Sequence, residues 1–423
     1  MTGTSPRGRL TAYVAGRTGR RVSTVCAAFG AFAIVSSGLA PNAIAADVQS
    51  KQWYLDAMDV KAMWKVSSGE GVKVAVLDSG VNPDTSSLKG QVLGDEVPQA
   101  VSYNATKDYD GHGTSMAELI SGTGAGGGLQ GLAPGAKIVP YRVVTEGLTN
   151  KVDKGKTPEV ADAIMAAADS DAQIISMSFG SDIIDVGVEK AVKYAQSKGK
   201  LMFAATGNDA ETKNFVGYPA AFPYVVGVAA ADKSGKVASY SEHGNYVDLA
   251  APGVNVPLWC DATFRTYCAE SGGTSAATAL TSASAALIWS AHPNWTANQV
   301  LRTMIDTAGR TWKKGERSNY LGYGAVRPRM VLENSSIDPG SASADPLSFE
   351  NGTGVTGVTA SPSASASAQS QAPKNSSGGQ TSAATSNSEG ADNTMLWVAL
   401  GAAGAVVVIG GGAFAVVRSR RSA

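Results

Sequence analysis

An α/β fold built on a mostly parallel, doubly wound sheet is what this sequence predicts, and three observations predict it. Continuous apolar runs recur at 72–77, 138–144, 173–179, 201–205 and 224–230, as in strands buried on both faces. Helical patterns at 158–168 and 184–198 fall between such runs, the alternation that builds βαβ units. Polar candidates stand where those runs end, Asp78, Ser178-Phe179-Gly180 and Asn208, and open sheets of this kind hold their ligands at the carboxyl ends of strands.

Taken in order, residues 1–45 contain five arginines and no acidic residue, an apolar run at 22–40, and then Ala43-Ile44-Ala45. That is the charged, apolar and small-residue order of a secretory signal peptide; a retained anchor is the alternative. Residues 46–69 form an N-terminal extension with the partly amphipathic pieces Gln52-Trp53-Tyr54-Leu55 and Val60-Lys61-Ala62-Met63-Trp64, expected to wrap the following domain. The stretch between the signal peptide and Gln52 is too short for a prodomain, since independent folding usually needs about 40 residues or more.

The globular domain is expected over 70–335, closed by a helix at 296–307. Residues 336–394 turn to Ser, Ala, Gly, Thr, Asn and Gln, cannot bury enough apolar surface, and read as a disordered linker. Residues 395–417 carry no charge and are long enough for a transmembrane helix. Arg418, Arg420 and Arg421 in the tail 418–423 would keep that end cytoplasmic and the domain outside, at the cell membrane.

Formal neutrality conceals an asymmetry. Of 35 Lys+Arg, five lie in the signal region and three in the tail, leaving 27 against 35 Asp+Glu between them. The exported part is acidic, which argues against nucleic acid as a partner. Once Cys26 is removed with the signal peptide, Cys260 and Cys268 remain, and in an oxidising compartment they read as a local disulfide contributing about 2–3 kcal/mol. A metal pair is the alternative, but further ligands are scarce.

Histidine occurs three times. His292 beside Pro293 suits a helix end, and His243 lies in a polar turn. His112 sits in Asp110-Gly111-His112-Gly113-Thr114, a glycine-flanked entry to a helix, and alone is as readily structural as catalytic. Ser275, in Gly272-Gly273-Thr274-Ser275-Ala276-Ala277, opens a second helix at its positively polarised end. A serine needs a base to take its proton, and an imidazole needs a carboxylate to hold its tautomer. Asp78, His112 and Ser275 supply that set, in the chain order Asp…His…Ser found in subtilisin.

The segments Ala75-Val76-Leu77-Asp78-Ser79-Gly80-Val81, Asp110-Gly111-His112-Gly113-Thr114 and Gly273-Thr274-Ser275-Ala276-Ala277 resemble the three motifs of the subtilisin-like serine proteases. Ala205-Thr206-Gly207-Asn208, Tyr218-Pro219-Ala220 and Ala250-Ala251-Pro252-Gly253 match further family segments in order. The resemblance implies a three-layer α/β/α fold and a serine endopeptidase acting on a polypeptide substrate without cofactor. It assigns Asp78 as orienter, His112 as general base, Ser275 as nucleophile and Asn208 as oxyanion donor. It implies that Ser178, Phe179 and Gly180 pair with the extended substrate and that Gly217 walls the pocket for the residue preceding the scissile bond (P1). The terminal architecture resembles the mycosins, membrane-anchored proteases of actinobacterial type VII secretion systems, so that secretion complex is an implied partner. A structural role in such a complex and a housekeeping protease are the alternative readings.

Three departures stand out. Gly113-Thr114-Ser115-Met116-Ala117 matches the family's nucleophile motif better than 273–277 does, yet Ser115 follows His112 too closely to complete the set. Ala276 and Ala279 replace a larger residue and a proline. The loop 123–128 lacks the Asn or Asp of a strong calcium loop, so no metal is expected there.

Overall fold

A computed structural model describes residues 45–353. The expected signal peptide (save its last residue), the linker beyond 353, the span 395–417 and the tail 418–423 lie outside the described residues. Three short helices, α1 (Ala45–Ser50), α2 (Trp53–Ala57) and α3 (Val60–Met63), lead into strand β1 (Lys73–Asp78). Helix α4 (His112–Ser121) and β2 (Lys137–Arg142) follow, then α5 (Lys151–Lys156), α6 (Val160–Asp169), β3 (Ile174–Met177), α7 (Val186–Ser197), β4 (Leu201–Ala205), β5 (Val225–Ala231) and β6 (Leu249–Pro252). A small hairpin, β7 (Leu258–Trp259) and β8 (Tyr267–Cys268), precedes α8 (Thr274–Ala291), α9 (Ala297–Thr307) and α10 (Pro328–Leu332).

The main sheet runs β2-β1-β3-β4-β5-β6 with every pairing parallel. Chain order reverses at β1, so the ends of β1 and β3 form the switch-point crevice in which such sheets place their sites. Strand residues alternate between two apolar layers. Val74 and Val76 join Met116, Leu119, Leu280 and Leu287 on one face, while Ala75 and Leu77 join Ile164, Val188 and Val192 on the other. Helices α4 and α8 therefore cover one face and α6 and α7 the opposite one, the expected three layers. Strand β6 is an addition to the predicted set; its residues are small and end at Pro252, which conceals a strand.

Helix α8 crosses β3 to β6 with residues 274–289 all buried. A helix enclosed on all sides must lack charge, and its run of Ala, Ser and Thr meets that need in little space. The hydroxyls of Thr278, Thr281 and Ser284 donate to the carbonyls four residues back, at 2.8, 2.8 and 2.7 Å, so these three are paired within the core, whereas Ser282 Oγ has no partner among the described residues.

The N-terminal extension is bound along its length. Gln52 accepts from Gln130 N (2.9 Å) and donates to Gln130 O (2.8 Å), and Trp64 Nε1 donates to Leu132 O (2.9 Å). Trp53 Nε1 reaches Val254 O and Asn255 O, each at 3.1 Å. At the other end, the boundary read from composition at 335 is too early. Leu347 is 2% exposed within the core, and Asn351 Oδ1 accepts from Tyr224 N at 2.7 Å. A few anchoring residues hold a segment whose overall composition is that of a linker. Among the described residues no helix is long and apolar enough to cross a membrane.

Candidate active site

Asp78 ends β1, fully buried, and its Oδ1 accepts from Ser79 N and meets His112 Nδ1, both at 2.7 Å. This contact leaves Nε2 as the imidazole atom able to take a proton, with Nδ1–H fixed toward the carboxylate. The entry of α4 to the end of β1 is very close. A Cβ on Gly113 would lie 2.2 Å from Gly80 O and 3.0 Å from Asp78 Cβ, so only glycine allows His112 to stand beside Asp78. Burial alone would lower the His112 pKa; the Asp78 charge and hydrogen bond outweigh it, and the net position is above the usual histidine range.

A residue that the sequence reading missed sets this turn. Asp108 Oδ1 accepts from Ser79 Oγ (2.9 Å) and Gly111 N (2.8 Å), and its Oδ2 accepts from Thr114 N (2.9 Å). Ser79 Oγ in turn accepts from Gly113 N at 2.9 Å. One buried carboxylate thus ties the ends of β1 and α4 together. Its signal in the sequence was an acid three residues before Gly111, the spacing of a side chain that caps a turn.

Ser275 is the second residue of α8 and 7% exposed. Its hydroxyl donates to Ser178 O (2.9 Å), and Ser178 Oγ donates back to Ser275 O (3.1 Å), so the helix start is latched to the end of β3. Among the described residues no hydrogen bond joins Ser275 to His112; the hydroxyl is held on Ser178 O instead. Catalytic hydrogen bonds often close only when substrate is bound.

Asn208 follows β4 on an exposed turn. Its Oδ1 accepts from Thr274 N (2.9 Å) and Thr274 Oγ1 (3.1 Å), which fixes the amide and leaves Nδ2 as a free donor. Gly273, at φ 112°, brings the chain so close that its Cβ would stand 3.3 Å from the Asn208 amide. The Ser275 N–H, second in the helix, has no intrahelical partner, so it and the Asn208 amide, tied to neighbouring Thr274, are two donors at one helix start. Ser178 is buried, Phe179 packs against the α6–α7 layer, and Gly180 is exposed. Ser181 and Tyr218 exchange backbone hydrogen bonds at 2.9 and 2.8 Å, placing this segment beside Gly217.

The other candidates lie apart. Ser115 is fully buried; its hydroxyl donates to Gly111 O (2.7 Å) and accepts from Trp259 N (2.9 Å), joining α4 to the small hairpin. Cys260 and Cys268 form a disulfide across that hairpin. His292 stacks on Trp295 at the end of α8, and His243 stacks on Tyr320.

Residues 69–324 match the subtilase family (Peptidase S8). Thermitase of Thermoactinomyces vulgaris is 32% identical over 64% of this chain and 95% of its own length. Minor extracellular protease Epr of Bacillus subtilis is 32% identical over 68% of this chain, which spans only 42% of that relative. Among solved structures, the MycP3 protease from the type VII (ESX-3) secretion system aligns with TM-score 0.55 and 28% identity, over 70% of this chain and 90% of that one. MycP1 from Mycobacterium smegmatis aligns with TM-score 0.54 and 25% identity, over 69% and 86%.

Proposed function

The chain belongs to the subtilase family of serine proteases, and from that premise we propose that it is a serine endopeptidase acting through Asp78, His112, Ser275 and Asn208. The observation that carries the reading is the 2.7 Å contact between buried Asp78 and His112 Nδ1; the start of α8 at Ser275, with Asn208 tethered to it, supports it.

Ser275 Oγ turns from Ser178 O and gives its proton to His112 Nε2 as it attacks the scissile carbonyl. The carbonyl's electron pair moves to oxygen, and Asn208 Nδ2 with the Ser275 N–H stabilises that oxyanion. A donor of this kind is worth about 3–4 kcal/mol of barrier in subtilisin, a relative. His112 then protonates the leaving amine, the C–N bond breaks, and an acyl-enzyme remains on Ser275. A water molecule, deprotonated by His112, hydrolyses it and restores the serine. Asp78 keeps its charge throughout and favours the imidazolium. Residues 178–180 supply the backbone edge for the substrate, and Gly217 lies at the wall of the P1 pocket.

The protease is anchored by residues 395–417 with its domain outside the cell, where it cleaves exported polypeptides beside a type VII secretion complex. The mycosin structural neighbours and the uncharged, arginine-terminated C-terminal stretch support this. Full-length protein should react with a fluorophosphonate probe in the membrane fraction and lose that labelling in Ser275→Ala. An unlabelled wild-type protein would refute the catalytic reading, and labelling confined to the soluble fraction would refute the anchoring.

A further inference from the structure

Behind the asparagine assigned to the oxyanion lies a buried carboxylate with no cationic partner. Glu242 is fully buried, no ion pair reaches it among the described residues, and neither oxygen completes a well-formed hydrogen bond, the Asp209 backbone alone approaching it. Leaving an ionisable group buried and unpaired is costly, so such a group marks a place where something else is meant to bind. Its backbone is fixed by Glu242 N donating to Gly207 O at 3.0 Å.

The carboxylate occupies the space that side chains at two glycines would take. A Cβ on Gly207 would lie 2.3 Å from Glu242 Oε2, and a Cβ on Gly217 would lie 3.5 Å from the same atom. Gly207 immediately precedes Asn208, and Gly217 is the residue placed at the P1 pocket wall. Asp209 and Asp182, both exposed, add further negative potential around Glu242. Burial is the main cause that pushes the Glu242 carboxyl up, to about 7, so it is ionised above neutral pH.

We infer that Glu242 is a specificity-determining residue at the base of the P1 pocket, selecting substrates whose P1 side chain is cationic, lysine or arginine. The inference rests on the proteolytic reading above and names its substrate class. A lysine or arginine entering between residues 178–180 and 205–208 brings its head group to the Glu242 carboxylate, with Asp209 and Asp182 attracting it. An apolar P1 side chain leaves the carboxylate desolvated and unpaired. A pocket that loses a needed polar partner discriminates strongly.

The test uses the full-length protein in detergent and fluorogenic tetrapeptides that differ only at P1, at pH 8. Lysine and arginine at P1 should exceed norleucine in kcat/KM by about tenfold or more. Within Glu242→Gln, the lysine-to-norleucine ratio should fall by about tenfold, a comparison that cancels any overall loss of activity. A preference for alanine, phenylalanine or norleucine in the wild type would overturn the inference, as would an unchanged ratio in Glu242→Gln. Should that variant fail to fold, the wild-type ranking decides the matter. Absent fluorophosphonate labelling of Ser275 would refute the proteolytic reading itself, whereas labelling without a cationic preference refutes only the role of Glu242.

Discussion

Two serines of this chain sit in nucleophile-like motifs, and exchanging each for alanine should give opposite results. In Ser115→Ala the Gly111 carbonyl keeps its bond from Ser115 N (3.1 Å), so only the half-buried Trp259 N–H loses its acceptor. An orphaned donor costs about 1–3 kcal/mol, and partial exposure places this one at the lower end, about 1–2 kcal/mol. For a domain of this size each kcal/mol lowers Tm by roughly 2 °C, so melting should fall by about 2–4 °C. Activity should remain, because the Ser115 hydroxyl is bonded to Gly111 O and Trp259 N and to none of the proposed catalytic groups. Ser275→Ala removes a hydroxyl that latches only Ser178 O at 2.9 Å, so Tm should move little. Activity should fall by about 10⁶-fold, the size found for the nucleophile of subtilisin. Differential scanning fluorimetry and peptide hydrolysis on both variants decide the point. Lost hydrolysis with an unchanged Tm in Ser115→Ala would refute the assignment and the packing argument together.

Asn208→Ala should lower kcat by about 10²–10³ with little change in KM, since the amide acts on charge that develops after binding; steady-state kinetics separate the two. Asp78→Asn should cost about 10⁴ in kcat/KM. It should also move the acid limb of the pH profile to lower pH, because Asp78 is what holds the imidazolium against its burial. Glu118, fully buried and accepting from Thr85 (2.8 Å) and Tyr267 (2.8 Å), is pushed by burial up to about 7. The folded state therefore binds its proton more tightly than the unfolded chain. Stability present below about pH 4.5 should be lost progressively up to about pH 7, by at most about 3 kcal/mol. Denaturant melts across that range should show the loss, and Glu118→Gln should flatten it.

The sheet was legible because its strands are buried on both faces and so read as unbroken apolar runs. Strand β6 was not, since Leu249-Ala250-Ala251-Pro252 has too little hydrophobic mass to register and ends in proline. The pairing of Asp78 with His112 was legible from their motifs, and the preference for Ser275 over Ser115 as the proposed nucleophile rests on the order of the whole set. Asp108 and Glu242 escaped because a lone acid in a polar turn carries no period; their burial comes from segments distant in sequence. The end of the domain escaped for a related reason. Leu347 and Asn351 anchor residues whose neighbours have linker composition, and an average over composition hides two contacts.

Helix α8 carries Ser275 on its second residue and is buried from 274 to 289 across four strands. Segments open locally according to how few buried contacts hold them, and this one has nowhere to open. Ser275 is thus mounted on a unit that can be displaced only when the whole domain comes apart. Loss of the serine proposed as nucleophile and loss of the fold should then be a single cooperative event. Heating should yield no population that is folded but unreactive, and the amide protons of α8 should exchange only through global unfolding.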